Sequence, residues 1–214
     1  MKNVVILGST GSIGKSTLDV IRNLEDKYKV VALSANSQWE LLSKQIEEFK
    51  PESVSLADER YVDSLRNSLS GDSVQVLTGA NSVKEMVSRE NVDIVLSAIV
   101  GGAGLPAAIE VIKNKKTLAL ANKEALVMAG GLIMPMAKDN GVNIIPVDSE
   151  HSAVLQALRS GRREEVKKII ITASGGPFRN HPKEKLSEVT KEEALNHPTW
   201  SMGDKSTIDS ATMM

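Results

Sequence analysis

The sequence contains no cysteine. That removes disulfides, thiolate metal sites and any mechanism built on a cysteine nucleophile, and it suits a reducing, cytoplasmic setting. Aromatic residues are scarce, with two Trp, two Tyr and two Phe among 214 residues, so the interior must be built from Val, Ile, Leu, Ala and Met. Neither sign of charge dominates: 26 Lys and Arg stand against 27 Asp and Glu. Nothing in that balance points to nucleic acid or an anionic membrane, and the densest basic group, Lys113, Lys115 and Lys116, is too small for an electrostatic footprint. No apolar stretch approaches the roughly 20 residues that span a bilayer. The N-terminal MKNVVILGSTG passes from a short apolar segment straight into glycines, without the long apolar core of a signal peptide.

What is present is ordinary globular composition, 41% hydrophobic and 25% charged, with room for one large domain or one domain and part of a second. Short β-branched runs recur at Val4–Leu7, Lys29–Leu33, Ser53–Ala57, Val74–Leu77, Asp93–Ser97, Thr117–Leu120, Val142–Val147 and Lys168–Thr172. They are nearly continuous apolar runs, the signature of strands covered on both faces. Between them lie segments of helical spacing. Leu18, Ile21 and Arg22 continue from the first glycine loop, and Leu41, Leu42, Gln45, Ile46 and Phe49 form one face. Regular alternation predicts an α/β fold with a doubly wound parallel sheet. There is no internal repeat and no low-complexity linker. After about Val147 the pattern becomes loop-rich, and Thr190 with Glu193 forms a capping-box pattern. The boundary is therefore expected near residue 149: residues 1–149 form a nucleotide-binding domain, and residues 150–214 form the start of an α+β domain. The ending Ser210-Ala211-Thr212-Met213-Met214 carries no helix stop or polar tail, which reads as truncation rather than fraying.

Gly8-Ser9-Thr10-Gly11-Ser12-Ile13-Gly14 follows the first strand and opens the first helix. Amides at a helix start, aided by the helix dipole, favour an anion. Glycines let a pyrophosphate approach the backbone, so the segment reads as a Rossmann-like dinucleotide loop, with a ligand-free tight turn as the alternative. At the end of the second strand, Ser34-Ala35-Asn36-Ser37-Gln38 lacks the carboxylate that binds an NAD ribose, which favours NADP. Ser34 and Ser37 offer hydroxyl donors there.

Asp148 and Glu150 stand two residues apart after a strand. If the chain is extended they point the same way, and two hard oxygen ligands suit Mg²⁺ or Mn²⁺. The alternative is a solvated turn or a helix start, and His151 reads as a supporting or helix-start residue. Ala173-Ser174-Gly175-Gly176-Pro177-Phe178 suits a phosphate loop or a plain turn equally. Trp200, within His197-Pro198-Thr199-Trp200-Ser201-Met202-Gly203, is either a lid or an anchor of its loop. Ser206, Thr207 and Ser210 add hydroxyls for a phosphate.

Five blocks occur in order: GSTGSIG at 8–14, ANKEALVMAG at 121–130, PVDSEHSA at 146–153, TASGGPF at 172–178 and HPTWSMGDKSTIDSATMM at 197–214. Collinear over the whole chain, they make it resemble the N-terminal part of the 1-deoxy-D-xylulose 5-phosphate reductoisomerase family. The resemblance implies an NADPH- and divalent-metal-dependent oxidoreductase of non-mevalonate isoprenoid biosynthesis. It makes 2-C-methyl-D-erythritol 4-phosphate from a phosphorylated keto sugar, and is typically homodimeric. By resemblance, Thr10, Gly11, Ser12 and Ile13 hold the pyrophosphate. Asn36, Ser37 and Gln38 lie by the 2′-phosphate, while Asn122, Glu124 and Gly203 contact the nicotinamide half. Asp148 and Glu150 ligate Mg²⁺ or Mn²⁺, with Co²⁺ also compatible. Lys123, Ser149, Ser174, His197 and Ser210 contact substrate, and Trp200 and Met202 belong to a lid.

Two departures stand out. The family has Gly-x-Asn where this chain has Asn36-Ser37-Gln38; Asn tolerates the left-handed backbone that Gly would supply. The family also continues past SATMM with Asn-Lys-Gly-Leu-Glu, which carries a third metal carboxylate and two substrate ligands. The isolated chain is accordingly expected to bind NADPH and to lack a complete active site. The alternatives are another NADP-dependent oxidoreductase of the same fold and a non-catalytic dinucleotide-binding module.

Overall fold

The computed structural model describes every residue except 70, 72, 73, 173, 174, 202, 213 and 214, and the backbone alone of 204–206. Its first compact unit, Met1–Glu165, is built on seven strands: β1 Lys2–Leu7, β2 Tyr28–Ala35, β3 Ser53–Leu56, β4 Gln75–Leu77, β5 Ile94–Ser97, β6 Thr117–Leu120 and β7 Ile144–Pro146. They lie in the order β4-β3-β2-β1-β5-β6-β7, and every pair is parallel. The chain steps outward from β1 to β4 and then returns to the other side of β1. The topological switch point therefore falls between β1 and β5.

Among the described residues of this unit, seven α-helices cross between the strands or follow them: α1 Ser12–Arg22, α2 Trp39–Phe49, α3 Val62–Ser68, α4 Ser82–Val87, α5 Gly104–Lys113, α6 Glu124–Asp139 and α7 Ser149–Leu158. Consecutive side chains of a strand face opposite ways, and β1 divides its residues accordingly. Val4 and Ile6 join Leu18 and Ile21 of α1, Leu42 and Ile46 of α2, and Val62 and Leu65 of α3. Val5 and Leu7 join Met86 of α4, Val111 and Ile112 of α5, and Ile133 of α6. Two cores sandwich one sheet, which is what doubly wound means physically. Each fully buried Leu or Ile contributes roughly 1.5–3 kcal/mol. In β2 the alternation breaks: the register passes from Val4–Val30 to Val5–Ala32, leaving Val31 as a bulge. Val31 and Ala32 consequently both face the α4–α6 core.

α6 is two helical pieces joined at Ala129, whose backbone is non-helical (φ −142°, ψ 25°). The sequence supplies the causes. Gly130 and Gly131 follow the kink, and Pro135, four residues past Gly131, has no amide to donate to the Gly131 carbonyl.

The second compact unit, Val166–Met214, holds a 3-10 turn at Lys183–Glu188, α8 Lys191–Ala194 and α9 Asp204–Ala211. The expected capping box is present: Glu193 N donates to Thr190 Oγ1 at 3.2 Å and Thr190 N to Glu193 Oε2 at 2.8 Å. Phe178 is buried and meets the His181 ring edge-on at 5.7 Å.

One expected strand is absent. Lys168–Thr172 has no strand assignment, and Ile169, Ile170 and Ile171 are 54%, 69% and 68% exposed. β-branched residues favour a strand only where another strand offers a ladder, and among the described residues none pairs here. The compact division at Glu165/Val166 keeps α7 with the sheet, whereas the boundary expected near residue 149 follows the end of β7.

Candidate functional site

Every crossover loop that carries a candidate residue in the first unit leaves the carboxyl end of a strand, where open parallel sheets bind ligands. The glycine loop sits at the switch point itself. Gly8 has φ +87°, and a Cβ there would lie 2.8 Å from Ala98 O, in the loop that follows β5. At Gly14 a Cβ would run into the backbone of Gly8 and Ser9. Both positions thus require glycine for close backbone approach. Gly11 is the N-cap of α1 and has no side chain to cap it. The amides of Ser12, Ile13 and Gly14 consequently have no intrahelical acceptor and no capping oxygen. An uncapped helix start beneath a glycine turn fits a pyrophosphate, which accepts those hydrogen bonds and meets the positive end of the helix dipole.

The loop after β2 differs from expectation in two ways. Ser34 is buried, and its carbonyl accepts from Gly8 N and Ser9 N at 3.0 and 2.8 Å, with its Oγ 3.1 Å from Gly8 N. It anchors the glycine loop and is not turned to a ligand. No residue of Asn36-Ser37-Gln38 has positive φ, so the loop does not use the left-handed conformation that Gly would supply. Asn36 and Gln38 are exposed and Ser37 half-buried. The loop after β3 is tied to it, since Asp58 N donates to Asn36 O at 2.9 Å. Asp58 in turn holds the Arg60 guanidinium through Nε at 2.9 Å and Nη2 at 2.7 Å. Those hydrogen bonds from Arg60 keep the Asp58 carboxyl below the usual carboxylate range. Arg60 thus stands in the turn tied to the β2 loop, paired with Asp58.

Asn122, Lys123 and Glu124 follow β6. Asn122 is 4% exposed, and both Nδ2 hydrogens are used: Nδ2 donates to Ile99 O and Gly101 O, while Oδ1 accepts from Ala125 N. It clamps the β5 loop to the start of α6. Lys123 is the N-cap of α6, and its Nζ lies 3.3 Å from Asp148 Oδ1, in the loop after the adjacent strand β7. Asp148 is the N-cap of α7, accepting from His151 N at 3.4 Å, and His151 Nδ1 is 3.6 Å from Asp148 Oδ2. Ser149 and Glu150 form the first turn of α7 and are exposed. The extended backbone that would aim Asp148 and Glu150 the same way is therefore not what occurs; a helix begins between them. The pair still offers carboxylate oxygens at a strand end, and hard cations are held by one or two carboxylates with water and substrate. Among the described residues no group of three or more His, Cys, Asp and Glu could hold a metal.

In the second unit, Ser174 and Met202 lie outside the described residues. Gly175 has φ +77°, and Gly176 packs so closely on Ser210 and Ala211 of α9 that a Cβ would strike their backbone. His197 Nδ1 accepts from Thr199 N at 3.1 Å and Trp200 N at 2.9 Å, while Nε2 lies 3.1 Å from Gly175 O. With Nδ1 placed to accept from two amides, Nε2 is the ring nitrogen left to donate to the Gly175 carbonyl. Trp200 is 56% exposed. Gly203 is the N-cap of α9, and its carbonyl accepts from Thr207 N and Oγ1. Ser210 is buried and donates to Thr207 O at 2.6 Å.

A parallel sheet that reverses at β1, with an uncapped glycine-rich helix start at the reversal, defines a protein of the dinucleotide-binding α/β class. Family models narrow this: 1-deoxy-D-xylulose 5-phosphate reductoisomerase matches residues 4–130 and the C-terminal domain of the same enzyme matches residues 144–214. The chain belongs to the 1-deoxy-D-xylulose 5-phosphate reductoisomerase family. It is 54% identical to the reductoisomerase of Geotalea uraniireducens over 214 residues, covering 100% of this chain and 55% of that protein. It is 51% identical to that of Thermoanaerobacter pseudethanolicus, covering 100% and 56%. The chain thus spans about half the length of the curated relatives it matches. Among solved structures, the Zymomonas mobilis enzyme in complex with NADPH superposes with a TM-score of 0.89 at 42% identity, over 99% of this chain and 54% of that one. A reductoisomerase in complex with NADPH, fosmidomycin and magnesium gives 0.86 at 38% identity, over 100% and 55%.

Proposed function

We propose that this chain is the NADPH-binding part, with the first segment of the catalytic part, of a reductoisomerase converting 1-deoxy-D-xylulose 5-phosphate to 2-C-methyl-D-erythritol 4-phosphate in isoprenoid biosynthesis. The carrying observation is the glycine cradle of Gly8–Gly14 at the switch point, in a chain of this family. The relatives crystallised with NADPH and magnesium support the same cofactors here. Thr10, Gly11, Ser12 and Ile13 receive the pyrophosphate. Asn36, Ser37 and Gln38 lie by the 2′-phosphate, with Arg60 as the neighbouring cation, and Asn122, Glu124 and Gly203 serve the nicotinamide half. The functional division falls near residue 149, with 1–149 for the cofactor and 150–214 for the start of catalysis.

When bound, NADPH supplies hydride, and Mg²⁺ or Mn²⁺ (Co²⁺ is also compatible) supplies Lewis-acid polarisation of the sugar oxygens. Asp148 and Glu150 hold that cation through carboxylate oxygens. Lys123, paired with Asp148, presents a positive charge to the substrate. Ser149, Ser174 and Ser210 bind the phosphate end, His197 contacts substrate, and Trp200 excludes water as part of a lid. A cytoplasmic homodimer acting on a small phosphorylated keto sugar, without nucleic acid or membrane as partner, completes the proposal. Among the described residues no helix is long and apolar enough to cross a membrane.

The test joins this chain to the remaining half of the Geotalea relative and follows loss of NADPH absorbance with the keto sugar phosphate and Mn²⁺. Oxidation that a chelator and Asp148→Asn each abolish supports the assignment. NADPH binding without metal- or sugar-dependent oxidation leaves only a dinucleotide-binding module.

A further inference from the structure

Ser9, inside the glycine loop, is fully buried, and all its polar atoms face inward. Its N donates to Ser34 O at 2.8 Å. Its Oγ donates to Gln45 Oε1 at 2.7 Å, and its carbonyl accepts from Gln45 Nε2 at 3.0 Å. Gly11 N closes the turn on Gly8 O at 3.2 Å. Ser9 is therefore the root of the loop, and the amides left for an anion are those beyond it. Gln45 is 5% exposed and sits on the buried face of α2 with Leu42 and Ile46. A helix that only packed there would carry an apolar residue. Without the Gln45 amide, the Ser9 hydroxyl and carbonyl would both be buried unpaired, and the turn would have to move to satisfy them.

We propose that Gln45 is a positioning residue for the cofactor: its amide grips Ser9 at both ends and so holds the Gly8–Gly14 turn in the conformation that receives a dinucleotide pyrophosphate. The proposal rests on the NADPH-binding reading above. It also links two loops, because α2 starts directly after Asn36-Ser37-Gln38. The loop for the 2′-phosphate and the loop for the pyrophosphate thus share one helix as their support.

The test titrates this 214-residue chain with NADPH by fluorescence, recording the thermal midpoint of each variant alongside. Gln45→Met keeps the volume and removes both bonds; about tenfold weaker NADPH binding is expected, the worth of one net to two lost hydrogen bonds. Adding Ser9→Ala to it should weaken binding no further, since the two residues act as one unit. Gln45→Glu gives a signature that mere packing would not. The introduced carboxylate faces the Ser9 carbonyl, so its neutral form is favoured and its pKa raised. Once protonated it can again donate to Ser9 O and accept from Ser9 Oγ. NADPH affinity of Gln45→Glu relative to wild type should therefore recover as pH falls, while that of Gln45→Met should not. Wild-type affinity in both variants, whatever their thermal midpoints, overturns the proposal. If Gln45→Met does not fold, a flat relative pH profile for Gln45→Glu overturns it instead. A wild-type chain that fails to bind NADPH defeats the cofactor reading itself, and this inference with it.

Discussion

At the scale of single residues, the first unit is held in shape by polar groups that grip backbone. Asn122 is the strongest case. Asn122→Ala leaves Ile99 O, Gly101 O and Ala125 N without their partner. At about 1–3 kcal/mol for each buried group left unpaired, with partial relaxation, a loss of roughly 2–4 kcal/mol is expected in urea unfolding. A loss under about 0.5 kcal/mol, the range of ordinary surface changes, would show that the clamp is not real. Gly14→Ala tests the cradle differently. The added methyl meets backbone at Gly8 and Ser9, which cannot rotate away, so NADPH binding should fall by at least about tenfold, beyond an overpacking cost of about 1–3 kcal/mol. Asp58 gives a pH dependence. Its folded pKa is depressed by Arg60, so its contribution is present above the unfolded value of about 4 and is lost as pH falls through the folded one. Asp58→Asn should therefore lower the urea midpoint at neutral pH and make progressively less difference in acid. The glycine spacing was legible in the sequence, because its chemistry is local; of the carboxylate pair only the residues were, since the backbone between Asp148 and Glu150 starts a helix where an extended strand end was expected. The partners of Ser34, Gln45 and Asn122 were not. Each is fixed by contacts 21 to 36 residues away, and nothing in the local pattern distinguishes a Gln on an apolar helix face from a misplaced surface residue.

At the scale of elements, apolar runs located seven strands correctly because both faces of a parallel strand are buried, so composition alone marks them. The same rule failed at Lys168–Thr172, where composition cannot report whether a neighbouring strand exists to complete the ladder. The bulge at Val31 was invisible too, since it needs two strands to be compared. α6 carries two opposite predictions. Ile133 is fully buried, and Ile133→Ala should cost about 2–5 kcal/mol. Gly131 has open space where a Cβ would stand and no positive φ. Gly131→Ala should consequently stabilise the chain by roughly 0.4–1 kcal/mol, chiefly by restricting the unfolded state. For a protein of this size that raises the thermal midpoint by about 1–4 °C. A lowered midpoint would mean that the break at Ala129 depends on the glycine remaining unsubstituted.

At the scale of the whole molecule, the unit Met1–Glu165 carries two candidate sites of different strength. The glycine cradle offers a pyrophosphate a preformed set of amides, whereas the proposed cation site rests on Asp148 and Glu150, one already paired with Lys123 and the other exposed. NADPH at about 100 times its Kd should stabilise the unit that binds it by roughly 2.7 kcal/mol. Mn²⁺ alone, offered two protein carboxylates, should add little. Hydrogen exchange with NADPH present separates the claims by residue. Protection should rise at 8–14, at 34–38 and in the Ala98–Gly104 loop that Gly8 touches, because the ligand satisfies amides that otherwise exchange through local opening. The helix start at Ser12–Gly14 should respond most, having no acceptor of its own. Protection confined to residues 175–211 would remove the glycine cradle as the primary site. A large shift with Mn²⁺ alone would mean that the carboxylate pair is a stronger metal site than its two side chains imply.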